Sequence, residues 1–226
     1  MGVGWHLDVA LCIDGTRTMN DIGMDGMSHL ERVKRIVKRI GPQIYERLRM
    51  KHIYVHQLRF RIIVFRDYLS NGANAVEVTD WFTYPDDLRA FETCVDSITA
   101  SGGGNSAEDG LEALAYAITS KWIKEVPIKR HVIMVFTDAG THNLGNGKTS
   151  KYYPRGMPKD IYELTAWWDN MNENSKRLVL LAPDENCWNF ISRNWDNVIH
   201  YPSLAGQGVT DKIFYELLVP IVAPDL

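Results

Sequence analysis

Two kinds of hydrophobic pattern alternate along the chain. Residues 5–13, WHLDVALCI, end in a near-continuous apolar run, as expected of a strand covered on both faces. Next, Met27, Leu30, Val33, Ile36, Val37 and Ile40 recur at helical spacing. Glu31, Arg32, Lys34, Arg35, Lys38 and Arg39 fill the other face, which predicts an amphipathic helix with a solvated, charged side. Gly41-Pro42 is expected to kink or end it, because proline lacks an amide donor and crowds the preceding turn. The following IYERLRM extends the pattern by a turn or two.

Residues 58–65, LRFRIIVF, alternate and then become wholly apolar, which predicts a second strand entering the interior. NGANAVEVTDWF reads as a turn and a short edge strand at 75–79. Pro85-Asp86-Asp87 then opens a helix with Leu88, Phe91, Val95 and Ile98 on one face. After the loop SGGGNS at 101–106, Ser106 and Asp109 have the spacing of a helix cap, and Leu111, Leu114, Ala115, Ile118 and Trp122 mark a buried face. HVIMVFTD, residues 131–138, is the strongest strand pattern and ends in Thr-Asp.

A polar loop follows at 139–158 and a helix at 160–171, carrying Trp167 and Trp168. RLVLLAP predicts another buried strand, followed by a short helix near Trp188, a strand at 197–201 and a helix at 210–219. This alternation predicts an α/β fold: a doubly wound, mostly parallel sheet with helices on both faces and one short antiparallel edge strand. There is no internal repeat or interdomain linker, so residues 1–226 are expected to form a single domain.

Composition narrows the function classes. The chain is 45% hydrophobic and 23% charged, an ordinary globular balance, and its net charge is -3. An acidic total argues against a nucleic-acid or membrane-surface binder and makes the basic face of the first helix a solvated one. No apolar stretch approaches the roughly 18 residues that span a bilayer. The start MGVGWHLDVALCID lacks a basic segment and is interrupted by His6 and Asp8, so no secretory leader is expected. Trp5 and His6 do not fit a myristoylation signal at Gly2. Cys12, Cys94 and Cys187 form no C-x-x-C pair or zinc spacing, which suggests buried free thiols in a reducing cytoplasm.

Candidate chemistry lies in three polar loops. Ligands of an open parallel sheet bind beyond the carboxyl ends of its strands. Asp14-Gly15-Thr16-Arg17-Thr18 follows the first strand, Gly102-Gly103-Gly104-Asn105-Ser106 precedes the third helix, and Thr137-Asp138-Ala139-Gly140 follows the strongest strand. They offer carboxylate, hydroxyl and amide oxygens without a thiol or histidine cluster, a donor set suited to a hard cation such as Mg²⁺.

With these loops in these positions, the chain resembles a von Willebrand factor A domain over nearly its whole length. That family's first loop reads D-x-S-x-S, and DGTRT is its hydroxyl-conservative form. The resemblance implies a metal-ion-dependent adhesion site with Thr16 and Thr18 as direct ligands and Asp14 acting mostly through water. Thr137-Asp138 matches the family's T-D-G segment, which implies Asp138 as the second acidic group. Many members carry Gly-Gly-Thr-Asn/Asp-Thr in the second loop. Here Gly104 stands at the first threonine, and three-glycine bacterial members with Asp next imply Asn105 as the contact instead.

The resemblance further implies a bound Mg²⁺, or Mn²⁺ or Ca²⁺ in its place, and a protein partner whose acidic residue completes the coordination. It implies a non-enzymatic assembly module of the bacterial intracellular type, such as those of tellurite-resistance-associated stress clusters or chaperone-like ATPase systems. Arg17, His142, Lys148, Tyr152 and Tyr153 are the candidate partner contacts; a solvated loop is the competing reading of 139–158. The tryptophans at 167, 168, 188 and 195 are assigned to the core.

Three alternatives remain. CIDGT overlays the D-x-D-G-T nucleophile loop of haloacid-dehalogenase-type phosphatases, but the nucleophilic aspartate falls at Cys12. HNLGNGKTS ends like a phosphate-binding loop, yet His142 replaces the first glycine and KYYPRG follows where a helix belongs. The third is a scaffold whose metal site is vestigial.

Overall fold

The computed structural model describes residues 4–103 and 107–203. The strands are β1 (Trp5–Asp14), β2 (Val55–Phe65), β3 (Val76–Val78), β4 (Phe82–Tyr84), β5 (Ala107–Glu108), β6 (Lys129–Phe136), β7 (Gly140–Thr141), β8 (Lys176–Pro183) and β9 (Val198–Ser203). The helices are α1 (His29–Met50), α2 (Tyr68–Asn71), α3 (Leu88–Ser97), α4 (Gly110–Ile118), α5 (Ile161–Asp169) and α6 (Asn186–Asn194). The expected helix at 210–219, Ser106 and Asn105 lie outside the described residues.

The main sheet has the order β3-β2-β1-β6-β8-β9. Its interior pairs are parallel. The antiparallel edge is split, since β3 pairs with Ile63–Phe65 of β2 and β4 pairs with Leu58–Phe60 of the same strand. The sequence pattern predicts only the first of these. Thr83 alternates with Phe82 and Tyr84, too short a period-2 run to distinguish from a turn.

Side chains alternate across β1. Leu7, Val9, Leu11 and Ile13 enter one core with the apolar faces of α1 and α3, whereas Ala10 and Cys12 enter the other with α4, α5 and α6. Trp168, Trp188 and Trp195 are buried in that second core.

Two features of α1 depart from expectation. The helix runs through Pro42 to Met50, and Ile36, Ile40, Ile44 and Leu48 form a continuous buried stripe across it. Burial of the second half offsets the one amide bond that proline removes. The charged side is also less solvated than predicted. Arg32 and Lys34 are buried; Arg32 pairs with Asp25, and Lys34 bonds Glu31 and the Asp96 carbonyl. The helix begins at Ser28, whose Oγ accepts the Glu31 N–H at 3.2 Å. Ser28→Ala is expected to cost about 1 kcal/mol in urea denaturation, the usual loss of a cap.

Candidate cation site

The carboxyl ends of β1 and β6 lie side by side, with Ile13 paired to Phe136. Parallel pairing therefore places the loops after both strands at one edge, as the sequence predicts. The glycine loop is drawn in by backbone bonds: the Ser101 N–H donates to the Gly15 carbonyl at 2.8 Å, and the Arg17 N–H to the Gly102 carbonyl at 3.3 Å. The short parallel pair β5-β7 ties residues 107–108 to 140–141, so all three loops are clamped together.

Asp14 is fully buried at the centre. Its Oδ1 accepts the Thr16 N–H at 2.8 Å and the Thr16 hydroxyl at 2.6 Å, while its Oδ2 accepts the Thr137 hydroxyl at 2.6 Å. Thr16 and Thr18 hydroxyl oxygens stand 3.4 Å apart, and the Thr18 hydroxyl donates to Asp138 Oδ1 at 3.0 Å. Thus Asp14, Thr16, Thr18 and Asp138 form one connected set. Asn105, the expected contact from the glycine loop, lies outside the described residues.

Glycine is required beneath this set. A Cβ on Gly15 would stand 2.8 Å from Val64 Cγ1 and 3.1 Å from Arg66 Cζ. Gly103 has a φ of +74°, and its Cβ would stand 2.7 Å from Glu108 Oε1.

Glu108 was not singled out by the sequence pattern. It is 2% exposed, and its neighbourhood is strongly acidic. Burial first, then the charges of Asp14, Asp67, Asp109 and Asp138, push its carboxyl up to about 9. Burial and the Asp138 charge raise Asp14 to about 6. Asp138 is also raised, chiefly by burial, against the Thr18 hydrogen bond and the charge of His29. Asp109, expected to pair with Ser106 in a helix cap, sits at the N-cap position of α4 but accepts the Tyr68 N–H through Oδ2 at 2.6 Å; burial and Glu112 raise it to about 7.

Asp138 Oδ2 and Glu108 Oε2 are buried oxygens without a hydrogen-bond partner among the described residues. A buried carboxylate left this way needs a proton or a cation. The residues therefore fit a divalent ion. Among the described residues, no three Asp, Glu, His or Cys side chains are grouped as metal ligands, so an ion here depends on threonine hydroxyls and water. Mg²⁺ accepts such a mixed shell.

The candidate partner contacts divide. Arg17, Lys148 and Tyr152 are exposed. Two others turn inward. His142 Nε2 stands 3.4 Å from Asp67 Oδ2 with its side chain only 13% exposed. Tyr153 donates its hydroxyl to Glu112 Oε1 at 2.7 Å and packs its ring on Tyr68. The 139–158 segment is thus pinned to the body by the Tyr153 hydroxyl and the Gly145 N–H on buried Glu112 rather than left as a free polar loop.

No protein-family model and no curated protein matches the chain. A solved structure similar to it is proximal thread matrix protein 1 from the mussel byssus, with a TM-score of 0.54 at 14% identity. The match covers 94% of this chain but 45% of that one, so the chain spans less than half of its length. At such identity the likeness supports the α/β architecture alone. Among the described residues, no helix is long and apolar enough to cross a membrane.

Proposed function

We propose that the chain is a single von Willebrand factor A-type domain that binds one divalent cation and, through it, an acidic residue of a partner protein. The observation that carries this reading is the buried Oδ2 of Asp138, unpartnered among the described residues, beside the Thr16–Thr18 hydroxyl pair, with Asp14 behind them. Mg²⁺ is the preferred ion by donor chemistry, with Mn²⁺ or Ca²⁺ as substitutes. Thr16 and Thr18 would hold it directly, and Asp14 and Asp138 would act mostly through water. Neutral hydroxyl ligands leave much of the ion's charge available to an incoming carboxylate.

This role is adhesive and non-enzymatic. The phosphatase alternative needs a nucleophile at position 12. The Cys12 thiol there is fully buried, donates to the Ala113 carbonyl, and is pushed up by burial, away from the reactive thiolate. The sheet order with its antiparallel edge and the clamped loops support the family reading; a place in a bacterial stress-response or ATPase-associated assembly rests on the sequence resemblance. Calorimetric titration with Mg²⁺ or Mn²⁺ tests it. One saturable site is expected in the wild type, weakened about tenfold in Thr18→Ala. A wild type without saturable binding would make the site vestigial.

A further inference from the structure

Large apolar side chains are exposed on the segments around the cation loops. Ile22, Met24, Leu69 and Tyr152 are 65, 109, 55 and 48% exposed, and they are half of the eight large hydrophobic side chains that the described residues leave in solvent. All four lie on segments that leave the carboxyl ends of β1, β2 and β6, the strand ends around the site. Scattered exposed apolar residues need no explanation, but a concentration around a polar site marks a binding surface.

Both flanks are built. On one side, residues 22–28 form a closed turn: Ile22 bridges Ser28, the Gly23 N–H bonds the Met27 carbonyl, and Asp25 joins the Met27 N–H to the Arg32 guanidinium. This turn raises Ile22 and Met24 directly after the Asp21 N–H bond to the Thr18 carbonyl. On the other side, Asp67 caps α2 through the Leu69 and Ser70 N–H groups. Asn71 of α2 accepts the Gly103 N–H, and the Tyr152 ring lies against Gly72. The two apolar flanks are therefore fixed to opposite ends of the loop set that holds Thr16 and Thr18, and little ordering remains to be done on binding.

Charge selects the occupant. Arg17, Lys148 and Lys151 are exposed on the cation loops and their continuation, and a bound divalent ion would add to them. On the side of the 22–28 turn two acids are exposed: Asp25 is paired with Arg32, and Asp21 acts on the Asp138 carboxyl, where a bound cation would offset it. With an ion bound, the middle of this face attracts a negative group, while Ile22 and Met24 at one end, and Leu69 and the Tyr152 ring under Lys151 at the other, offer apolar contact.

We propose that the partner is a protein segment with one carboxylate flanked on both sides by large apolar side chains. Its acid meets the cation, and its apolar residues cover Ile22 and Met24 on one side and Leu69 and Tyr152 on the other. This rests on the cation reading above and adds the partner's chemistry to it.

The test is a displayed library of heptapeptides with a fixed central Glu, selected on the full chain in Mg²⁺. Enrichment of Leu, Ile, Met or Phe on both sides of the Glu is expected, with binding lost in EDTA. Met24→Asp and Leu69→Asp should each weaken the selected peptide about tenfold. Both variants should keep wild-type Mg²⁺ affinity by calorimetry, because neither side chain touches the cation residues. Selection of acidic runs, no selection, or unchanged peptide affinity in both variants would overturn the flanking proposal while leaving cation binding intact. Absent Mg²⁺ binding in the wild type would overturn the reading beneath it.

Discussion

Calorimetric titration of Asp14→Ala with Mg²⁺ or Mn²⁺ is expected to show no saturable binding, a loss of at least about a hundredfold. Asp14 gathers donors from two of the three loops: the Thr16 N–H and hydroxyl on Oδ1, and the Thr137 hydroxyl on Oδ2. Removing it takes away both the central negative charge and the acceptor that orients the Thr16 hydroxyl. The Thr18 hydroxyl would then donate to Asp138 beside a Thr16 hydroxyl with no fixed acceptor. Orientation of this kind is what separates a cation site from a group of nearby oxygens.

The fold should survive this change. Burial holds the Asp14 carboxyl at about 6, so at neutral pH its ionised form costs about 3 kcal/mol relative to the unfolded chain. The hydrogen bonds from Thr16 and Thr137 are already counted in that value, so alanine removes a buried charge that the fold carries at a net cost. Circular dichroism should therefore match the wild type while the metal heat disappears. Wild-type affinity in the variant would place the ion elsewhere.

Much of the architecture was legible because the carboxyl-terminal parts of β1, β2, β6 and β8 are buried on both faces and leave apolar runs. Asp14, Thr16, Thr18 and Asp138 were legible for a related reason. They sit where such runs stop, and topology alone brings those ends together. Three things were not. Pro42 reads locally as a helix break, but the cost of its missing amide is outweighed by Ile44 and Leu48 beyond it, which only tertiary packing reveals. Tyr153 turns inward to Glu112 and His142 faces Asp67, residues 41 and 75 positions away in the chain, and no local pattern encodes such contacts. Glu108 was hidden because the acids of SAEDG resemble the start of any helix. The signal that remained was an acid pair beside a glycine loop, pointing toward a site already rich in carboxylates.

Glu108→Gln should produce the largest change in stability, and one that depends on pH. Its folded carboxyl lies near 9 against an ordinary value of 4.5. Between those values the folded protein retains a proton that the unfolded chain has released. Stability carried by this group is therefore whole below pH 4.5 and is lost as pH rises toward 9. At pH 8 the deficit is on the order of 4 kcal/mol, and glutamine removes it while keeping the side-chain shape. Urea denaturation of metal-free protein should show the variant more stable by several kcal/mol at pH 8 and nearly equal at pH 4. Saturating Mg²⁺ should narrow the gap, since a nearby cation stabilises the ionised Glu108 that glutamine replaces. Equal stability at pH 8 without metal would mean that Glu108 is not held in the acidic neighbourhood of Asp14 and Asp138. A gap that Mg²⁺ leaves unchanged would instead separate Glu108 from the cation, leaving it a buried acid without a functional role.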